Sequence, residues 1–131
     1  MTINRIARLY ATVAGASDFF TGVGLVFLPQ VVLPLMGVPG IEGDALVFLR
    51  WVGAFVGAVG LSYWWALLRP SVGLRAVLEL TILFRLAAGV FSAVAIMRGW
   101  LGPVWWSVPA TDFIFAGVQV WLLREGAGRD D

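Results

Sequence analysis

Residues 45–68 read ALVFLRWVGAFVGAVGLSYWWALL and contain a single charged side chain, Arg50. An α-helix rises about 1.5 Å per residue, so this stretch is long enough to cross the ~30 Å hydrocarbon core of a bilayer. It is also far too apolar to form the surface of a soluble domain. The segment therefore predicts a membrane-spanning helix.

Three more stretches of the same kind accompany it. We predict four spans, at residues 6–28, 45–68, 74–97 and 103–123, which together form an all-α, single-domain four-helix membrane bundle over residues 1–131. The first span follows two arginines, as a signal peptide would. Its apolar run is too long for a signal peptide and is interrupted by Asp18, so we expect a retained helix.

The composition of the chain limits its chemistry. Hydrophobic residues make up 60% of the sequence and charged residues 13%, and the mean hydropathy is +0.91. The chain contains no cysteine and no histidine, which removes thiol chemistry and nearly all zinc, haem or Fe–S ligation. We predict no metal and no cofactor. The net charge of +1 gives no reason to expect a nucleic-acid partner.

The arginines are distributed unevenly between the two ends of the predicted bundle. One end has six of them and the other end has Arg98, together with the acids Glu42 and Asp44. Arginine-rich ends of membrane proteins remain in the cytoplasm. We therefore expect both termini to be cytoplasmic and the protein to be a multi-pass protein of the cell inner (plasma) membrane. The six are Arg5, Arg8, Arg69, Arg75, Arg124 and Arg129.

The first external connection, residues 29–44, is unusually apolar and reads PQVVLPLMGVPGIEGD. Its three prolines prevent one continuous helix. We expect a short helix or an irregular strip at the outer interface, either as a plain connector or as a cover over the open end of the bundle. Aromatic belts are predicted at both interfaces: Trp100, Trp105 and Trp106 at the outer one, and Tyr63, Trp64, Trp65 and Trp121 at the inner one.

Apart from Arg8 and Arg75 close to the ends of their spans, five charged residues fall within the predicted spans: Asp18, Arg50, Glu79, Arg85 and Asp112. A charge in hydrocarbon costs at least ~2.5–3.5 kcal/mol, so such residues normally face other helices and have partners. Helical steps of three and four place each of them except Glu79 on one stripe with small residues, which mark helix contacts in membranes. Glu79 is within i to i+4 reach of Arg75, and we expect an interfacial ion pair there.

Asp18, Arg50, Arg85 and Asp112 have depths that allow them to meet in the outer half of the bundle, since arginine side chains reach several ångströms along a helix. Such a network could be structural, fixing which helices pack together, or it could line a polar pocket that opens outward. In the second case Asp18 and Asp112 are candidate acid/base groups. Arg50, Arg85, Gln119 and Trp51 are the candidate binding residues.

The arrangement of these residues resembles that of a known group of proteins. A helix with a mid-membrane acid and glycines (Asp18, Gly22, Gly24) is followed by a proline-containing apolar loop and then by a helix that begins with Arg50 and continues Gly53, Gly57, Gly60. This layout resembles the small bacterial four-helix membrane proteins of the DoxX-like and BphX-like type. The resemblance implies a four-helix fold and, for DoxX-like members, a link to membrane oxidoreductase complexes. It implies no catalytic residues.

Three functions are compatible with this sequence. The first is a protein that binds an amphipathic ligand, such as a lipid, quinone or isoprenoid, or that serves as an accessory subunit of a larger membrane complex. The second is a cofactor-independent enzyme that isomerises, cyclises or opens an epoxide in a lipophilic substrate by proton transfer. The third is a transporter, which would require a homo-oligomer because four short helices are too few for alternating access.

Overall fold

The computed structural model describes residues 1–129, and this part of the chain is all-helical. Four stretches, Ile3–Phe27, Gly43–Leu68, Leu74–Met97 and Pro103–Arg124, are long and apolar enough to cross a membrane, as the four predicted spans require. The five α-helices are α1 (Ile3–Phe27), α2 (Pro29–Leu35), α3 (Gly43–Leu68), α4 (Leu74–Met97) and α5 (Ser107–Arg124). Single 3₁₀ turns, Pro70–Val72 and Pro103–Trp106, precede α4 and α5.

The long helices pack as two close pairs, α1 with α3 and α4 with α5. Glycines bring α1 and α3 together in antiparallel register. A Cβ atom at Gly22 would lie 2.5 Å from the carbonyl oxygen of Gly53, and one at Gly60 would lie 2.7 Å from the carbonyl oxygen of Gly15. The glycine stripe of the second span is therefore a helix contact, as small-residue stripes in membranes commonly are.

All four long helices meet at the end of the bundle where both termini lie. The buried cluster there contains side chains from every long helix, including Ala11 of α1, Tyr63 of α3, Leu78 of α4 and Leu122 of α5. Each of these four residues is fully buried. The larger of the two clusters of buried apolar residues therefore lies at this end, where it joins the two helix pairs.

The apolar connection after α1 covers the opposite end of the bundle. It forms the short helix α2, which ends in a glycine cap: Gly37 has φ +73°, and the N–H of Val38 donates to the carbonyl oxygen of Leu33. Val38 and Leu33 are buried together with Leu25 of α1, as expected for the hydrophobic contact of a Schellman motif. The predicted short helix is confirmed, and it packs onto the end of the bundle.

The surface around the bundle is apolar, most of all on α3. Large hydrophobic side chains are exposed along its length and along α4, including Val47, Phe48, Trp51, Phe55, Leu83, Phe84 and Phe91. A soluble monomer rarely exposes so continuous an apolar surface. Such a surface suits contact with lipid chains, since the backbone groups in the middle of each helix are already hydrogen-bonded within it.

We expect Gly22→Ala to lower the thermal stability of the detergent-solubilised protein, because its new Cβ would press on α3 backbone that cannot rotate away. Overpacking of this kind costs ~1–3 kcal/mol. Gly117→Ala is the matched control, since no atom lies within 4 Å of a Cβ placed there. If Gly22→Ala melts at the wild-type temperature, α1 and α3 do not pack this closely.

Candidate functional site

Arg85 lies in the middle of α4, on the face of that helix that is turned towards the other helices. This face is buried at steps of three and four residues, through Leu78, Thr81, Arg85, Gly89 and Ser92. The exposed fraction of Arg85 is only 4%. A guanidinium at this depth needs oxygen partners, since the surrounding hydrocarbon offers none.

Two carboxylates provide these partners and define an ionic cluster of Asp18, Arg85 and Asp112. Nη2 of Arg85 lies 2.6 Å from Oδ2 of Asp18, and Nη1 lies 3.2 Å from Oδ1 of Asp112. The cluster joins α1, α4 and α5 at one point. Three of the four charged residues that were predicted to meet therefore do so.

The guanidinium also touches α3 and an aromatic ring. Its central carbon lies 4.6 Å from the centre of the Phe115 ring, a cation–π distance, and Nη2 lies 3.5 Å from the hydroxyl oxygen of Tyr63. Arg85 consequently contacts side chains from all the other long helices. No other residue in the described part of the chain has ion pairs to two different helices.

A second polar network continues from Tyr63 towards the end of the bundle that holds the termini. The Nε2 group of Gln119 donates towards the Tyr63 hydroxyl at 3.0 Å, the Thr81 hydroxyl at 2.6 Å and the carbonyl oxygen of Leu78 at 3.2 Å. The Leu78 oxygen can only accept, so it sets the orientation of the Gln119 amide. Gln119, predicted from its stripe with Asp112, is fully buried beside the cluster.

Tyr63 and Thr81 are parts of this network that the sequence reasoning did not single out. Tyr63 was assigned to the inner aromatic belt, yet it is fully buried. Their positions in the sequence indicate that they face other helices: Tyr63 follows Gly60 by three residues, and Thr81 precedes Arg85 by four. Both therefore continue the helix-contact stripes.

The prediction that Arg50 joins the cluster is wrong. Arg50 is exposed and has no ion pair within residues 1–129. Gly60 packs against Phe19, the neighbour of Asp18. Arg50 lies ten residues before Gly60, which is about 15 Å along the helix axis. The glycine register between α1 and α3 thus keeps Arg50 out of reach.

Trp51, the remaining predicted binding residue, also lies away from the cluster. Its side chain is 59% exposed on the outside of α3. It stacks with Phe48 and Phe55 of the same helix, at ring-centre distances of 6.2 and 6.0 Å. These three rings form an aromatic strip on the apolar surface.

The cluster has more acidic than basic groups, and some buried polar atoms in and beside it lack hydrogen-bond partners. With both carboxylates ionised, two negative charges face one guanidinium. Two buried atoms in the described residues, Nε of Arg85 and Oε1 of Gln119, have no hydrogen-bond partner. No group of three His, Cys, Asp or Glu side chains that could hold a metal ion occurs within residues 1–129.

Two cavities lie away from the ionic cluster. The larger, about 500 Å³, lies between α3 and α4 near the turn that joins them, and we call it the α3–α4 groove. Its walls are almost entirely apolar and include Leu61, Trp65, Leu68, Val72 and Val77. The smaller, about 330 Å³, lies beside α2 and is lined by Pro29, Gln30, Ile41, Glu42 and Leu46.

A positive charge lies next to Trp65, one of the residues that line the α3–α4 groove. Arg69 follows the last residue of α3, and its guanidinium carbon lies 5.1 Å from the centre of the Trp65 ring, which lines the groove. The apolar groove therefore has the Arg69 guanidinium beside it, over the Trp65 ring.

No family model, curated protein or solved structure matches this chain.

We expect Arg85→Gln to destabilise the protein by ~3–5 kcal/mol, because it leaves the buried Asp18 carboxylate and the half-buried Asp112 carboxylate without their cation. Thermal melting in detergent measures the loss. The exposed Arg75–Glu79 ion pair (N–O distance 2.9 Å) provides the control: Glu79→Gln should cost no more than ~0.5 kcal/mol. Equal melting temperatures for the two variants would contradict a stabilising cluster.

Removal of one carboxylate should cost less than removal of the guanidinium. Asp112→Asn takes away the surplus negative charge and retains an oxygen that can accept a hydrogen bond from Arg85. Asp18→Asn breaks the shorter and more deeply buried of the two ion pairs. We therefore expect Asp112→Asn to melt above Asp18→Asn, and the reverse order would contradict the geometry.

Proposed function

We propose that this protein binds an amphipathic, lipid-like ligand within the membrane, in the α3–α4 groove. The observation that supports the proposal is the shape and chemistry of that groove. Its volume of about 500 Å³ lies in the range of ligand-binding pockets, about 300–1,000 Å³. Its apolar walls suit a hydrocarbon chain, and Arg69 beside it suits a polar head.

The packing of the four helices explains why a groove exists here. α3 packs mainly on α1, and α4 packs mainly on α5. The seam between α3 and α4 is therefore thinly filled along most of its length, even though the two helices are joined by a short turn. Leu61 and Leu68 lie along the seam and are 48% and 76% exposed.

The ionic cluster is better suited to holding the helices together than to binding a ligand. Its hydrogen-bonding groups are directed mainly at one another, and neither of the two cavities reaches it. Asp18 and Asp112 remain hypothetical acid/base groups, and the enzymatic and transport functions stay alternatives without a structural observation in their favour.

The topology is part of the same proposal. We propose that both termini lie in the cytoplasm and that the protein resides in the inner (plasma) membrane, since six arginines occur at the end that contains the termini. In this orientation the α3–α4 groove opens into the inner leaflet, and α2 lies at the outer surface. The resemblance to DoxX-like proteins and a role as an accessory subunit remain predictions.

The topology can be tested with single cysteines, because the chain has none of its own. We expect Gly40→Cys, near α2, to react with a membrane-impermeant thiol reagent added outside intact cells. Ser71→Cys, in the turn between α3 and α4, should react only after the cells are opened. The reverse pattern would contradict the proposed orientation.

Ligand binding can be tested by obstruction of the groove. We expect Leu61→Trp to reduce the amount of lipid that remains bound in detergent about tenfold, equivalent to ~1.4 kcal/mol, because the larger side chain fills the space for the chain. Native mass spectrometry of the purified protein measures the bound fraction. Leu83→Trp is the control, since Leu83 is equally apolar, is exposed on α4 and lies outside the groove. Equal retention by both variants would contradict the proposal.

A further inference from the structure

Arg69 lies at the end of α3 in a position that holds its side chain beside the groove. Its backbone N–H donates to the carbonyl oxygen of Trp65 at 2.9 Å, which closes the last turn of the helix. Pro70–Val72 then turn the chain towards α4. The guanidinium remains stacked on the Trp65 ring, 5.1 Å from its centre.

The Arg69 side chain is exposed, and its guanidinium carbon lies over the Trp65 ring. A guanidinium stacks through its face, whereas its five N–H donors point outward in its plane. Arg69 has no salt bridge to any carboxylate in the described residues. The next arginine along the chain differs: Arg75 pairs with Glu79 and donates towards the carbonyl oxygens of Leu123 and Ala127.

We propose that the α3–α4 groove binds an acyl chain of an anionic phospholipid whose phosphate accepts hydrogen bonds from Arg69. This inference rests on the proposed function, because it names the ligand class of the same groove. The apolar walls and the Arg69 guanidinium, which has no salt bridge within residues 1–129, match the two parts of such a lipid.

The chemistry of Arg69 selects among amphipathic ligands. A guanidinium matches the oxygens of a phosphate with two parallel hydrogen bonds. A quinone or an isoprenoid hydrocarbon offers no anionic oxygen to this group. A zwitterionic headgroup offers a phosphate, but its ammonium would lie near the same guanidinium and be repelled. Arg69 therefore increases the binding affinity most for a lipid whose headgroup has a net negative charge.

Native mass spectrometry of the full chain in detergent, with phosphatidylglycerol and phosphatidylcholine of identical chains, tests this inference. We expect the wild-type protein to prefer phosphatidylglycerol by about five- to tenfold. Arg69→Gln should abolish the preference, and Arg69→Lys, which keeps the charge but not the paired donors, should retain part of it. Arg124→Gln is the control: it removes an exposed arginine at the same end of the bundle, on a helix that does not line the groove.

The outcomes separate the inference from the proposed function. Equal binding of the two lipids by the wild-type protein, with retention still lost in Leu61→Trp, overturns the headgroup assignment and leaves ligand binding in the groove intact. A preference that survives Arg69→Gln, or that is lost equally in Arg124→Gln, also overturns it. Displacement of phosphatidylglycerol by an equal concentration of a fatty acid would assign the site to a carboxylate instead of a phosphate.

Discussion

The guanidinium of Arg85 is the group on which the arrangement of the four long helices depends. It forms ion pairs with Asp18 of α1 and Asp112 of α5, and it touches Tyr63 of α3 and Phe115 of α5. In hydrocarbon the helices gain little from burying apolar surface against one another, because lipid chains are equally apolar. The cost of an unpaired charge there is several kcal/mol. Arrangements that separate Arg85 from its carboxylates are therefore disfavoured.

Close packing of backbone provides the second constraint. The glycines of α1 and α3 allow these helices to approach until a single added Cβ would strike the neighbouring backbone. This contact fixes the axial register of the pair. The register, in turn, decides which charges can meet: it aligns Asp18 with the middle of α3 and leaves Arg50 about 15 Å away.

The α3–α4 groove exists because the ion pairs of Arg85 and the glycine contacts bring other pairs of helices together more closely than α3 and α4. Glycines join α1 to α3, while α4 and α5 form the second close pair. The pairs are held together by the ionic cluster and by the buried residues at the end of the bundle that contains the termini. Fewer contacts form between α3 and α4, and a space remains there beside Trp65 and Leu68. The ionic cluster thus serves the fold, whereas Arg69 takes no part in it and remains exposed.

The sequence by itself determined the helical class, the four apolar stretches and the presence of charges on helix-contact stripes. These features are local: they depend on the length of an apolar run and on a period of 3.6 residues. The same local reasoning identified the Asp18, Arg85 and Asp112 set, the short helix after α1 and the Arg75–Glu79 pair. Only the tertiary structure excluded Arg50 and included Tyr63 and Thr81, because axial register between helices is set by contacts between residues far apart in the chain. The α3–α4 groove was also visible only in the tertiary structure, since a space between helices depends on how all four of them pack.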